Sequence, residues 1–384
     1  MKALSLHTPT LAASLAVACS LQITAGISQA AVETTPFGKM PDGQKVELYT
    51  LTNQKGVTVA VATFGATVVK MITPDRNGSP ADIALGFDRL EPYLSKTYVT
   101  ENPFMGSTIG RYANRIANGR FTLDGNSYQA TVNNGPNSLH GGTKGFDKCV
   151  WAAEVLSSSD EPSVRFTLHS PDGDQGFPGA VDASVTYTLN RRNELRMDFR
   201  AVTDKKTIVN LTNHTYFNLA GEGNGTILDH LLTIPADHYN PVDDTLIPTG
   251  EIRSVAGTPL DFRKPTAIGA RIKEAGNKPT GYDYNFVLGK MLFPRLRLTA
   301  EMYEPASGRV VRMLSDQPGV QFYSGNSLNG KFKGKSGKPY VQYSGIVLEP
   351  QFYPDSPNKP NFPSVVLNPG ETYRARIVLQ FATR

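Results

Sequence analysis

The chain has 384 residues, 39% hydrophobic and 19% charged, with a formal net charge of +5. That apolar content excludes a disordered chain and is ample for a large core. The basic balance has its local source in Lys331, Lys333, Lys335 and Lys338, spaced by Gly334, Ser336 and Gly337, which reads as a flexible solvated loop; with only Phe332 and Tyr340 to stack on bases, a nucleic-acid partner is set aside.

At the N-terminus, Lys2 is the only charge before Glu33, an apolar stretch runs from Leu11 to Ala18, and Ser28-Gln29-Ala30 ends in a small-x-small pattern. Residues 1–30 therefore read as a cleaved secretory signal, and 31–384 as one exported, periplasmic domain. A second reading makes Cys19, after Leu15-Ala16-Val17-Ala18, a lipidated N-terminus. The apolar stretch falls short of the roughly 20 residues of a membrane span, and no longer one follows. Once Cys19 leaves with the signal, Cys149 stands alone and no intramolecular disulfide is expected.

Downstream, short alternating runs rich in Val, Ile, Thr, Tyr and Phe predict strands: 57–72, 183–189, 195–202, 208–211, 309–314, 320–324, 345–349 and 373–381. Asp124-Gly125 and Asn190 to Asn193 read as hairpin turns. The one predicted helix is Thr266 to Ala275, with Pro265 before it and Gly276 after it. Glycines and prolines are spread throughout, and no linker, repeat or low-complexity tract appears. The pattern predicts an all-β protein, a large antiparallel β-sandwich with very little helix.

Four segments place ionisable residues in strand-like or glycine-flanked contexts: Gly110-Arg111-Tyr112-Ala113-Asn114-Arg115-Ile116, Asn137-Ser138-Leu139-His140-Gly141-Gly142, Leu211 to Leu219 around His214, and Ser344 to Gln351 around Glu349. Gly281-Tyr282-Asp283 and Gln317-Pro318-Gly319-Val320-Gln321-Phe322-Tyr323 join them. Singly, each has an ordinary reading: His214 as a core histidine, His140 before a turn, Arg115 as a surface ion-pair donor, Asp283 as a turn residue. Glu349 is harder to dismiss, because it closes the apolar run Ile346-Val347-Leu348 and precedes Pro350, where a half-buried charge needs a reason.

As a set, in this order and spacing, the blocks resemble the aldose 1-epimerase (galactose mutarotase) family, and the resemblance runs from about Phe37 to Phe381. It implies a large β supersandwich with a sugar-binding cleft, Glu349 as general base and His214 as general acid. Asn114, Arg115, His140, Asp283 and Gln321 fall on positions that contact sugar hydroxyls. Many relatives carry threonine at Pro350 and histidine at Phe352, a departure that bears on substrate preference.

The expected reaction is the interconversion of the α and β anomers of a free aldose such as glucose or galactose. One proton must leave the anomeric hydroxyl while another reaches the ring oxygen, so an acid and a base suffice; no cofactor and no metal is expected. Tyr216, Phe286 and Tyr323 are candidates for the apolar face of the sugar, with ordinary core packing as the alternative. Rival readings are a glycoside hydrolase or lyase pairing Glu349 with Asp283, and a sugar-binding protein without turnover. A metalloenzyme using His140, His214, His230 and His238 is weaker, because no His-x-x-x-His spacing occurs. A sugar-phosphate variant would want cations such as Arg111 and Lys144 at the cleft mouth. The partner is thus a small-molecule aldose, with no membrane span; whether the chain is a monomer or a dimer is left open.

Overall fold

The computed structural model describes residues 1, 3, 4 and 30–384. The leader features, Lys2, the stretch 11–18 and Cys19, lie outside the described residues. From Ala31 onward the chain is built of antiparallel strands in three main sheets. Among the described residues no helix is long and apolar enough to cross a membrane.

The largest sheet has nine strands, in the order Ala152–Ser157, Ser163–Ser170, Val181–Leu189, Glu194–Thr203, Tyr373–Thr383, Arg309–Ser315, Arg297–Tyr303, Leu231–Thr233 and Thr266–Ala267. Alternation shows along most of Val181–Leu189: the side chains of Val181, Ala183, Val185 and Tyr187 are buried while Asp182 faces water, and only at the hairpin end are Thr188 and Leu189 both buried. A six-stranded sheet runs Tyr216–Phe217, Ile346–Gln351, Gly319–Tyr323, Asp283–Val287, His238–Tyr239 and Arg253–Ser254. One of its faces sends Phe286, Val320, Phe322, Ile346 and Leu348 into the same apolar core as Val185, Phe199, Met313 and Leu379 of the nine-stranded sheet. Because side chains alternate along a strand, the other face carries Asp283, Gln321 and Glu349. A five-stranded sheet, from Ala31–Lys39 to Pro80–Asp82, completes the frame.

Both predicted hairpins form: Phe121 pairs with Tyr128 around Asp124-Gly125, and Leu189 pairs with Leu195 around Asn190–Asn193. The run 57–72 is two strands rather than one, Thr58–Ala62 and Thr67–Pro74, reversed at Gly65-Ala66, where both residues have positive φ. A side chain at Gly65 would come 2.5 Å from the Asp147 carbonyl, so only glycine fits the bend.

The predicted helix 266–275 does not form. Thr266–Ala267 pairs with Leu231–Leu232 as the edge of the large sheet, and two 3-10 turns follow, Ile268–Ala270 and Ile272–Glu274. The apolar spacing was real, since Ile268, Ile272 and Ala275 are all buried. Sheet pairing captures the first two residues, and the Ile268 and Gly269 amides bond to the carbonyls of His230 and Leu228 instead of a helical ladder. The α-helices among the described residues are α1, Glu91–Leu94, and α2, Lys96–Glu101, the latter capped by the Ser95 hydroxyl. Four and six residues are too few for a periodic signal.

The lysine segment also differs from expectation. Lys335 Nζ sits 2.8 Å from Asp82 Oδ2 and donates to the carbonyls of Val69 and Ala84, with its side chain only 9% exposed. The Ser336 amide donates to Glu222, which also accepts from the Tyr340 hydroxyl at 2.6 Å. A buried ammonium needs such a carboxylate partner, and the pair pins the loop onto the sheet.

Candidate active site

A cavity of about 720 Å3 opens between the free face of the six-stranded sheet and the loops that cross it. It lies in the usual size range of small-molecule sites, roughly 300–1,000 Å3. Glu349, His214, Asn114, Arg115, His140 and Asp283 all line it. They come from five separate stretches of sequence, brought together by two kinds of local structure.

The wall that carries Glu349 rests on a regular ladder. Glu349 pairs with Gln321, and Gln321 with Asn285, across three neighbouring strands. Glu349 is buried, and Pro350 continues the strand in register with Val320, its carbonyl accepting from the Thr212 hydroxyl. Gln321 does not line the cavity; its Nε2 donates to Asp283 Oδ1 at 2.6 Å from below. Asp283 Oδ2 in turn faces the Arg115 guanidinium at 3.8 Å, and Arg115 Nε donates to Asn134 Oδ1. Sequence alone gave no reason to single out Asn134, which serves by orienting this arginine.

The wall that carries His214 rests on irregular backbone. His214 stands between two-residue strands, Thr212–Asn213 and Tyr216–Phe217; its amide donates to Ser107 O and its carbonyl accepts from the Gly106 amide. Asn114 and His140 both have positive φ, 65° and 51°, and clasp each other: the His140 amide donates to Asn114 O, and the Asn114 amide donates to His140 Nδ1. Asparagine and histidine are among the residues that tolerate this region. An amide can only donate, so Nδ1 is the unprotonated nitrogen and His140 presents Nε2–H as a donor.

Phe104, at φ 57°, packs its ring 4.6 Å from that of His140 and 5.7 Å from that of His214. The two imidazoles stand 5.2 Å apart, and Tyr216 closes the other side of His214. Nothing in the local sequence pointed to Phe104. Tyr216 and Tyr323 line the cleft, whereas Phe286 is core.

His214 Nε2 lies 3.9 Å from Glu349 Oε2. Burial pushes Glu349 well above the usual carboxyl range; Asp283 pushes it further and Arg115 opposes. Burial lowers His214 to about 4 and drives His140 well below its ordinary value, where His214, Arg115 and Lys148 add to the effect. Asp283 is raised by burial against Arg115 and Gln321. A raised carboxyl beside a lowered imidazole favours a single proton held between Glu349 and His214, one that belongs to the pair.

The ligating atoms of His140, His214 and Glu349 lie within 4.8 Å of one another, a cluster that the sequence argument from His-x-x-x-His spacing missed. A metal does not fit it well, because His140 Nδ1 is taken by the Asn114 amide and its Nε2 carries the proton. The other two histidines of that metal reading are elsewhere: His230 Nε2 accepts from the Leu219 amide, and His238 is exposed on the strand next to the edge of the six-stranded sheet. Arg111 is not at the cleft mouth; it is buried, its guanidinium donating to the carbonyls of Ser170, Pro171, Pro178 and Gly179. Lys144 is exposed and does not line the cavity. Phe352 belongs to an apolar cluster with Tyr112 and Ile208 and does not line it either.

A family model described as aldose 1-epimerase matches residues 47–380. Galactose mutarotase of Bos taurus is 48% identical over 88% of this chain and 94% of its own length; that of Homo sapiens is 45% identical over 90% and 96%. Aldose 1-epimerase of Escherichia coli is 39% identical over 89% and 96%. Among solved structures, an aldose epimerase homologue from C. elegans superposes with a TM-score of 0.76 at 34% identity, covering 92% of this chain and 99% of its own. The cleft and the matches agree, and the chain belongs to the aldose 1-epimerase family.

Proposed function

We propose that Glu349 and His214 carry out, in this chain, the interconversion of α- and β-aldoses that defines its family. The observation that carries the assignment is the buried pair itself, a carboxyl and an imidazole 3.9 Å apart at closest approach, on the wall of a sugar-sized cleft. Glu349 takes the proton of the anomeric hydroxyl while His214 protonates the ring oxygen, and the bond between the anomeric carbon and the ring oxygen breaks to give the open aldehyde. Rotation about the bond beside the carbonyl presents its other face. The ring hydroxyl then attacks, His214 recovers its proton, and Glu349 returns its own to the new anomeric oxygen. Both residues end as they began, so the cycle needs no outside proton or electron.

The active form of the pair is the one with a single proton, moved from Glu349 to His214 as the sugar enters. A bound hydroxyl donating to Glu349 stabilises its charged form and favours that shift. Arg115, Asp283 and His140 Nε2–H supply oriented donors and acceptors for the remaining hydroxyls, and Asn114 flanks them. Tyr216 and Tyr323 offer aromatic surface to the apolar face of the ring.

Polarimetry on freshly dissolved α-galactose and α-glucose tests the reading: the protein should speed the approach to equilibrium well above the buffer rate. A rate equal to buffer, or release of reducing ends from a disaccharide, would sink it. The leader reading also stands as a proposal, supported by the start of the first strand at Ala31, directly after the small-x-small pattern. It places the enzyme outside the cytoplasm; a mature N-terminus at Ala31 on secreted protein is expected, and an intact Met1 would count against it.

A further inference from the structure

The block that ends in Glu349-Pro350-Gln351 leaves one polar residue without a role. Gln351 follows Glu349 by two positions on the same strand, so both side chains leave the same face. It is fully buried, and neither its Nε2 nor its Oε1 has a partner among the described residues. Its neighbour across the ladder is Gly319, and a Cβ there would lie 2.7 Å from Asn285 Oδ1. The glycine therefore leaves room for Asn285 to lean over this row. Asn285 Nδ2 is held by Asn240 Oδ1 at 2.6 Å, and Gln321 Nε2 by Asp283. Asn285 Oδ1, Gln321 Oε1 and Glu349 Oε1 are buried and have no partner among the described residues.

These partnerless atoms share one face of three adjacent strands, next to the oxygen of Glu349 other than the one beside His214. Buried polar groups at this density are satisfied by small polar molecules, since leaving them bare is costly, and buried water typically makes about three such bonds. We propose that Gln351 is a positioning residue of the reaction: with Asn285 and Gln321 it cradles buried water against Glu349 Oε1, fixing the carboxyl and supporting its charged form.

The charged and titratable groups facing Glu349 are Asp283, Arg115, His214 and His140, with the phenols of Tyr216 and Tyr323. Gln351 adds no charge, so its effect comes from donors delivered through water. Removing them disfavours the carboxylate, moves the shared proton toward Glu349 and leaves less of the productive arrangement.

The inference rests on Glu349 being the base, and the experiment separates the two. Polarimetric kcat and KM for α-galactose are measured against pH for the wild type, Glu349→Gln, Gln351→Met and Gln351→Asn. Gln351→Met should lower kcat about tenfold at neutral pH, keep KM within about twofold, and move the alkaline limb up by about one unit; Gln351→Asn, which keeps a carboxamide, should recover part of the loss. Equal scaling at every pH with no displaced limb, even with a lowered Tm, would mean a packing role only and overturn the proposal. A Glu349→Gln enzyme of full activity would instead remove the reading beneath it. Should Gln351→Met fail to fold, a high-resolution crystal structure of the wild type decides: water bonded to both Gln351 and Glu349 Oε1 is expected, and a carboxamide turned onto a protein partner overturns it.

Discussion

The two walls of the cleft are built in opposite ways. On the base side, Glu349, Gln321 and Asp283 sit on strands whose ladder fixes each side chain by register. On the acid side, His214, His140 and Asn114 sit on short, irregular pieces held by amide-to-ring and amide-to-carbonyl bonds, with Phe104 wedged against both imidazoles. A ladder shares its load among many bonds, whereas the acid wall depends on a few, so single substitutions there should disturb geometry as well as chemistry.

Replacing the two groups proposed to react should have the largest effect and bear on both walls. Glu349→Gln and His214→Asn are each expected to lower kcat by about 100 to 10,000-fold with little change in Tm, as polarimetry and thermal unfolding would report. Next comes Asp283→Asn, which keeps shape but weakens the contact to Arg115 and the proposed one to a sugar hydroxyl; KM should rise about tenfold while kcat changes less. On the acid wall, Phe104→Leu should lower kcat severalfold and also reduce stability by about 1–2 kcal/mol, because the ring packs both imidazoles. An apolar truncation on the ladder side that leaves the polar row of Glu349, Gln321 and Gln351 intact should leave the pH profile alone, so a profile shifted by Phe104→Leu sharpens the contrast. The smallest effect belongs to Asn134→Ala, which removes one oriented bond to Arg115 and should raise KM about two- to fivefold.

The same contrast explains what the sequence made legible. Alternation exposed the strands and both hairpins, because a half-buried sheet writes its period directly into residue type. Glu349 stood out as a charge at the end of an apolar run. The resemblance assigned roles to residues hundreds of positions apart, which spacing alone could not join. What stayed hidden was decided by contacts between distant segments: Phe104 and Asn134 have no local mark, and the segment 266–275 carries helical spacing that sheet pairing overrides. Lys335 looked like part of a solvated loop because its partner Asp82 lies far away in sequence. Gln321 could be placed at the site but not in its position beneath Asp283, which only the register reveals.

The central claim is that Glu349 and His214 share one proton, and the pH dependence of kcat/KM tests it most directly. Below about 4, His214 gains a second proton for the pair and no base remains; above the raised value of Glu349, the pair holds none and no acid remains. The rate over buffer should therefore form a bell, with an acid limb near 4 and an alkaline limb set by the carboxyl. A single rise at the ordinary carboxyl value, followed by a plateau that persists into alkaline solution, would contradict the account.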